Sequence, residues 1–248
     1  MVPVRAEPDD SSEMVTQLLF GETLRINKAQ NQWRHITCRY DGYEGWIDEK
    51  QYQPLDTKAL AKAEDNPSYA LEIAQSATNQ SHHIPIVLGS TLPQYDGINF
   101  KLGQDKYWYN GQAYNPVTTN HKPTVLEKIV HKYHYAPYLW GGRSPFGVDC
   151  SGFVQVIFKI LGVALKRDAW QQAEQGEEVA FIDAAQPGDV AFFPNKAGKI
   201  AHVGIILDQK RIIHAYGRVR IDKIDHYGIY NEEKQTYTHQ LRTIKRYW

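Results

Sequence analysis

After Cys150 the apolar residues Phe153, Val154, Ile157, Phe158 and Leu161 recur at helical steps, which predicts a helix starting at Cys150 and burying one face along its length. Asp149 is placed to cap that helix and Gly162 to end it. Further on, the turn Gln186-Pro187-Gly188-Asp189 is followed by three apolar runs of strand length, Val190 to Phe193, Ala201 to Leu207 and Arg211 to Ala215. The stretch 216–230 and the tail to Trp248 add a strand or two, and 166–176 reads as a polar helical segment or loop. Upstream, Thr124 and Glu127 form a capping box ahead of the stripe Leu126, Ile129, Val130 and Tyr133, predicting one more helix. Helices first and an antiparallel meander after them describe an α+β domain. The unpaired amides and the dipole at the start of the Cys150 helix favour a thiolate there.

The first half reads differently. Short strands are expected at Val15 to Leu19, Thr23 to Ile26, Trp33 to Arg39 and Gly45 to Ile47, separated by polar turns, the pattern of a small barrel. Residues 56–77, rich in Ala, Lys and Glu up to Pro67, predict a connecting helix broken near the proline. Strands follow at Ile84 to Leu88, Gly97 to Leu102 and Tyr107 to Tyr114, with Asn110-Gly111 as a hairpin signal. Residues 115–123 read as a linker. The organisation expected is therefore a barrel at 1–55, a linker helix and second barrel at 56–115, and the α+β domain at 124–248.

Balanced charge, 28 Lys+Arg against 28 Asp+Glu, gives no reason to expect nucleic acid or an anionic membrane as partner. No stretch approaches the roughly 20 apolar residues of a membrane span. The first ten residues carry no apolar signal core, so the chain as it stands is expected to be cytoplasmic, or secreted or periplasmic if it was trimmed. Two cysteines make no disulfide framework, and Cys38 in H-I-T-C-R reads as a small buried strand residue. His131 and His134, at i and i+3, have metal-ligand spacing but no evident third ligand, so they and His82-His83 read as solvated or core-edge residues.

Two histidines fall in the meander, His202 in A-H-V-G-I-I-L and His214 in R-I-I-H-A-Y. If Asp208-Gln209-Lys210 is a three-residue loop, Leu207 pairs with Arg211 and Gly204 faces His214. His202 and His214 then lie diagonally on one face, about 7 to 8 Å apart at the backbone. A loop one residue longer or shorter places them on opposite faces. A thiol at a helix start needs a base that later protonates the leaving amine, and imidazole does both near neutral pH. His214, accepting from the ring N–H of His202, would orient it. The glycines at 141, 142 and 147 would let a substrate backbone approach.

The motifs P-Y-L-W-G-G (137–142), D-C-S-G-F (149–153), Q-P-G-D-V-A-F-F (186–193), A-H-V-G-I (201–205) and I-I-H-A (212–215) closely resemble the NlpC/p60 family of bacterial cell-wall cysteine peptidases. In the first half, L-L-F-G-E-T-L-R-I, Q-W-R-H-I and D-G-Y-E-G-W-I resemble a bacterial SH3 (SH3b) module, and 84–114 a more divergent one. The resemblance implies a papain-like catalytic domain behind small all-β SH3b barrels, a Cys150, His202, His214 triad, no metal or other cofactor, and hydrolysis of peptidoglycan stem peptides.

SH3b modules ahead of the catalytic domain are similar to the arrangement in γ-D-glutamyl-L-diamino acid endopeptidases. These act on murein tripeptides and related stem peptides with a free N-terminal L-alanine, as in cell-wall peptide recycling. That likeness implies that Asp149 and Ser151 hold the free amine with Glu13 and Tyr43 of the first barrel, and that Tyr138, Arg167 and Asp168 line the cleft. It rests on the resemblance, and the residues alone leave two rivals. One is a cell-wall binding SH3b protein with an idle catalytic domain, the other a different papain-like amidase or acyltransferase. Neither the diamino acid, diaminopimelate or lysine, nor the oligomeric state is legible.

Overall fold

The computed structural model describes residues 1–118 and 122–248; part of the linker expected at 115–123 therefore lies outside the described residues. The chain forms two compact units, Met1–Asn120 with Trp140–Pro145, and His121–Leu139 with Phe146–Trp248.

The first unit opens with a five-stranded antiparallel sheet in the order Met14–Leu18, Val2–Arg5, Glu44–Asp48, Trp33–Cys38, Leu24–Gln30. Its inward residues Val4, Leu18, Ile36, Cys38 and Ile47 form the core. Burial pushes the Cys38 thiol well up, which leaves it inert. Strand Val2–Arg5 is not signalled by the sequence, because Pro3 interrupts a short run.

Asp56 caps helix Thr57–Glu64 by accepting from the Ala59 amide at 2.7 Å. The helix ends just ahead of Pro67, as expected, and the chain beyond the proline forms strands Ser68–Ala70 and Ala74–Thr78. They join a four-stranded sheet (Asn99–Leu102, Asp105–Trp108, Ala74–Thr78, His83–Val87) and a three-stranded one (Ala113–Tyr114, Ser68–Ala70, Thr91–Leu92). Between them lie Ala70, Ala77, Ile86, Leu92, Phe100, Tyr107 and Tyr109. The hairpin expected at Asn110-Gly111 is instead a crossing between these sheets, where a Cβ on Gly111 would stand 2.4 Å from the Tyr109 hydroxyl. The turn that closes a hairpin is Gly103-Gln104, with Leu102 paired to Asp105 and Gly103 at φ 60°.

Residues Trp140–Pro145 complete this unit. Arg143 donates to both Glu22 carboxylate oxygens, at 2.7 and 2.9 Å, in a buried ion pair. Gly141, at φ 77°, rests on the Met14 backbone, where a Cβ would come within 2.2 Å of the carbonyl oxygen. A role in admitting substrate is not needed to explain this glycine; close chain packing already requires it.

In the second unit the helices are α1 (Lys122–Lys132), α2 (Cys150–Ile160) and α3 (Ala169–Ala173). The strands are β1 (Glu177–Val179), β2 (Val190–Pro194), β3 (Ile200–Asp208), β4 (Arg211–Tyr216), β5 (Arg218–Ile224), β6 (Gly228–Asn231), β7 (Thr236–Gln240) and β8 (Thr243–Arg246). They form one eight-stranded sheet, ordered β1-β8-β2-β3-β4-β5-β6-β7. Thr124 sits inside α1 rather than capping it, because the helix starts at Lys122 with Pro123 in a turn that needs no amide donor. Every residue of α2 is buried, and the helix packs on β3 and β4. The opposite face of the sheet carries Ala191, Phe193, Ile206, Ile212, Ile224, Ile229 and Ile244 as a second core. Among the described residues no helix is long and apolar enough to cross a membrane.

Candidate active site

Asp149 caps α2 as its sequence predicts, accepting from the Gly152 amide at 2.7 Å, so Cys150 is the first helical residue. The thiol lies 4.0 Å from the carbonyl oxygen of Ala201 and beside the amide of Val203, so the backbone it meets is the β3 backbone on either side of His202. Burial raises the Cys150 thiol, and the adjacent Asp149 carboxylate adds to the rise; Arg167 and the neighbouring amides oppose it, and the thiol ends at about 12. Burial likewise drives His202 well below the usual imidazole range, with His214 and His239 adding to the effect. Burial therefore works against the help that the helix start gives to a thiolate. The resting pair is a thiol and a neutral imidazole, and the proton has to pass between them during attack.

Register puts the histidines on one face. Gly204 pairs with His214, as expected, but by a different route: Asp208 pairs with Arg211 across the two-residue turn Gln209-Lys210, and a bulge at Leu207 absorbs the extra residue. Gly204 is required between them, since a Cβ there would meet the His214 Cβ at 2.8 Å. The His202 Nε2 to His214 Nδ1 distance is 2.8 Å, and His214 Nε2 lies 3.0 Å from Asp222 Oδ2.

Asp222 comes from β5, where it pairs with Ile212 and therefore shares the histidine face. Burial raises its carboxyl, but hydrogen bonds from His214 and Arg220 outweigh that and hold it below the usual range. Arg220 binds both carboxylate oxygens, at 2.7 and 2.9 Å, and reaches Glu233 at 3.2 Å. An ionised Asp222 accepts the proton of His214 Nε2. His214 Nδ1 must then accept from His202 Nε2–H, which leaves His202 Nδ1 with a lone pair. One carboxylate thus sets both tautomers and leaves His202 as a base.

Arg167 is 2% exposed and spends its guanidinium on Asp149 Oδ1 (3.0 Å), Asp149 Oδ2 (2.6 Å) and Ser151 Oγ (2.9 Å). It neutralises the carboxylate next to the thiol, and losing it would strand a buried charge. Gln172, on α3, ties this corner down by donating to the Ser151 carbonyl at 3.1 Å. Asp168 is the half-buried cap of α3, with Gln171 accepting from its amide. Tyr138 lies in the same unit. Burial raises its hydroxyl to about 12, and Cys150 and Asp149 push the same way, so it remains a proton donor near the thiol. Glu13 and Tyr43 belong to the first unit, where Glu13 accepts from the Trp140 indole and Tyr43 packs on the barrel core. No three His, Cys, Asp or Glu side chains among the described residues gather closely enough to hold a metal ion.

Sequence reasoning misses Asp222, Arg220 and His239. The first two have a signal in the alternation of R-V-R-I-D-K-I after Gly217, where Arg220 and Asp222 share a face with Ile224. His239, in T-H-Q-L-R, has none.

A profile of the NlpC/P60 family matches residues 135–243, and one of the bacterial dipeptidyl-peptidase SH3 domain matches residues 4–51. The gamma-D-glutamyl-L-lysine dipeptidyl-peptidase of Bacillus subtilis (strain 168) is 31% identical over 217 residues, covering 81% of this chain and 71% of that protein. The chain belongs to the NlpC/P60 family. Dipeptidyl-peptidase 6 of Lysinibacillus sphaericus is 26% identical over 261 residues, 95% of this chain and 94% of that protein. The crystal structure of an NlpC/P60 family protein from Bacillus cereus ATCC 10987 superposes with a TM-score of 0.78 at 22% identity, covering 94% of this chain and 82% of that one. Membership makes the chain a cysteine-type peptidase with a papain-like α+β fold behind an SH3 module, and peptidoglycan peptides fit the family as substrates.

Proposed function

We propose that this NlpC/P60 protein hydrolyses the γ-D-glutamyl to diamino acid bond of murein peptides that carry a free N-terminal L-alanine. The observation that carries the reading is the relay from His202 through His214 to Asp222, with the Cys150 thiol set against the β3 backbone on either side of His202. Supporting it are two relatives, one named a gamma-D-glutamyl-L-lysine dipeptidyl-peptidase and the other dipeptidyl-peptidase 6.

Cys150 Sγ attacks the γ-carbonyl carbon of D-glutamate while its proton moves to His202 Nδ1. His214 and Asp222 stabilise the imidazolium that forms. The first amide of α2, on Cys150, has no carbonyl partner four residues back, and with the Tyr138 hydroxyl it supplies donors to the carbonyl oxygen as that oxygen becomes an anion. His202 passes its proton to the departing amine as the C–N bond breaks, leaving a thioester and a free diamino acid. Water then gives a proton to His202, its oxygen adds to the thioester carbon, and the L-Ala-γ-D-Glu acid departs as sulfur recovers its proton.

The free amine is read by the polar corner beside the thiol that Ser151 and the Arg167-supported Asp149 form. An ammonium there makes charge-assisted hydrogen bonds, whereas an acylated nitrogen loses the charge and adds bulk. Only peptides already released from the wall have that amine, so the activity fits recycling.

Incubation with L-Ala-γ-D-Glu-L-Lys and its diaminopimelate counterpart is expected to release the diamino acid. N-acetylation is expected to lower kcat/KM by roughly 100-fold or more, the range for a buried polar site left unpaired. Equal rates on acetylated and free peptides would remove the amine ruler. Failure to cleave either would remove the peptidase specificity in favour of wall binding or another acyl transfer.

A further inference from the structure

His202 is held by more than its hydrogen bond to His214. The His239 ring lies over it, centroids 4.2 Å apart and planes 23° from parallel. Phe193 touches both imidazoles, at 5.8 Å from each, and Tyr216 stands edge-on to His239 at 4.9 Å and to His202 at 6.4 Å. His239 comes from β7, at the far end of the sheet from β2 and β3 in hydrogen-bonding order. It reaches His202 because the chain leaves β7 through Leu241 and Arg242, whose amide donates to Phe192 on β2 at 2.9 Å, and continues as β8 beside β2. His239 Nδ1 lies 2.9 Å from the hydroxyl of Thr238, so the polar edge of the ring is engaged away from the relay.

We propose that His239 is a positioning residue for His202, a flat neutral plate that blocks rotation of the base about its ring axis. A half-turn of His202 about its Cβ–Cγ bond would put Cε1 where Nε2 stands and Cδ2 where Nδ1 stands, so that the bond to His214 is lost and a C–H replaces the basic lone pair. His214 alone resists that swing through one hydrogen bond; the stacked ring resists it by volume. The proposal rests on the reading of Cys150 and His202 as nucleophile and base.

Charge agrees with this geometry. Burial lowers His239 to about 4, with His214 pushing the same way and Asp222 opposing, so the plate is uncharged at neutral pH. The groups facing His202 are His214 and Tyr216 from β4 and His239 from β7, with Asp222 and Arg220 of β5 behind His214, and the Cys150 thiol of α2 meets the β3 backbone beside it. Lys234 lies over the outer face of this group, its ammonium 5.4 Å from the Tyr216 ring centre. Because the plate keeps water off His202, its removal returns the base toward the ordinary imidazole pKa. The acid limb of activity, expected below the ordinary imidazole range in the native protein because burial lowers His202, should then move up.

The test compares His239→Phe, which keeps a flat ring over His202, with His239→Ala, which removes the ring and opens its space. It follows both kcat/KM for the free peptide and the rate of Cys150 alkylation by iodoacetamide across acid, neutral and mildly alkaline pH. Phenylalanine is expected to stay within about threefold of the native rate with the acid limb in place. Alanine is expected to lose roughly ten- to hundredfold in kcat, the scale of a misplaced catalytic group, with KM little changed and the acid limb moved up. Equal behaviour of the two variants, or an alanine variant with native kcat and native limb, would overturn the proposal. Alkylation needs no peptide: a native protein that alkylates at neutral pH yet cleaves no peptide fails the substrate reading while leaving the plate testable. A native Cys150 inert to iodoacetamide at every pH overturns both.

Discussion

Cys150→Ala is expected to lower peptide hydrolysis by roughly 10⁴-fold or more, leaving only what binding and the oxyanion donors supply without a nucleophile. The fold should barely register the change. Cys150 is the first residue of its helix, its cap Asp149 is untouched, and the truncation removes a single weak thiol to carbonyl interaction at 4.0 Å. Alanine is also a good helix former. The melting temperature should move by no more than about 3 °C, below the effect of a 1 kcal/mol change in a domain of this size. Circular dichroism and peptide turnover on the same preparation check both halves. Residual hydrolysis above a few per cent would mean that another group attacks the carbonyl.

Asp222→Asn has the second-largest expected effect, although Asp222 touches no substrate. Asparagine keeps the shape, but its amide can donate where the carboxylate accepted. His214 then carries its proton on Nδ1 and His202 on the nitrogen facing the thiol, so both tautomers reverse. The expected loss in kcat is roughly 10²- to 10⁴-fold with KM nearly unchanged, the scale of a triad whose carboxylate is neutralised. Arg220 keeps Glu233 as a partner, so folding should survive. Kinetics beside chemical denaturation separate the two effects. An unfolded variant would show only that Asp222 is structural, whereas a folded one with native kcat would contradict the tautomer argument.

The parts legible in the sequence are those governed by short-range rules. The Cys150 helix announces itself through an apolar stripe and an aspartate cap, and both stand. The face shared by His202 and His214 is also readable, because Gly204 opposes His214 whether the hairpin closes by three residues or by two with a bulge. Asn110-Gly111 misleads because its dipeptide preference is local, while the need for the chain to cross between two small sheets is not. Strands 68–70 and 74–78 carry no local signal of their own, and it is pairing with 83–92 and 105–114 that makes them strands. Asp222 and His239 are out of reach for another reason. Their positions depend on the registers of β5 and β7 and on the curl that returns β8 to β2, none of which a local pattern encodes.

The central claim is that Cys150 forms the acyl-enzyme. It is tested most directly with L-Ala-γ-D-Glu-p-nitroanilide, whose good leaving group makes acylation outrun hydrolysis. The account predicts a burst of nitroaniline equal to one per protein molecule, and acid-quenched peptide mapping that finds the L-Ala-γ-D-Glu acyl group on Cys150 as a thioester. Turnover with the acyl group on another side chain, or undiminished turnover by Cys150→Ala, would contradict it.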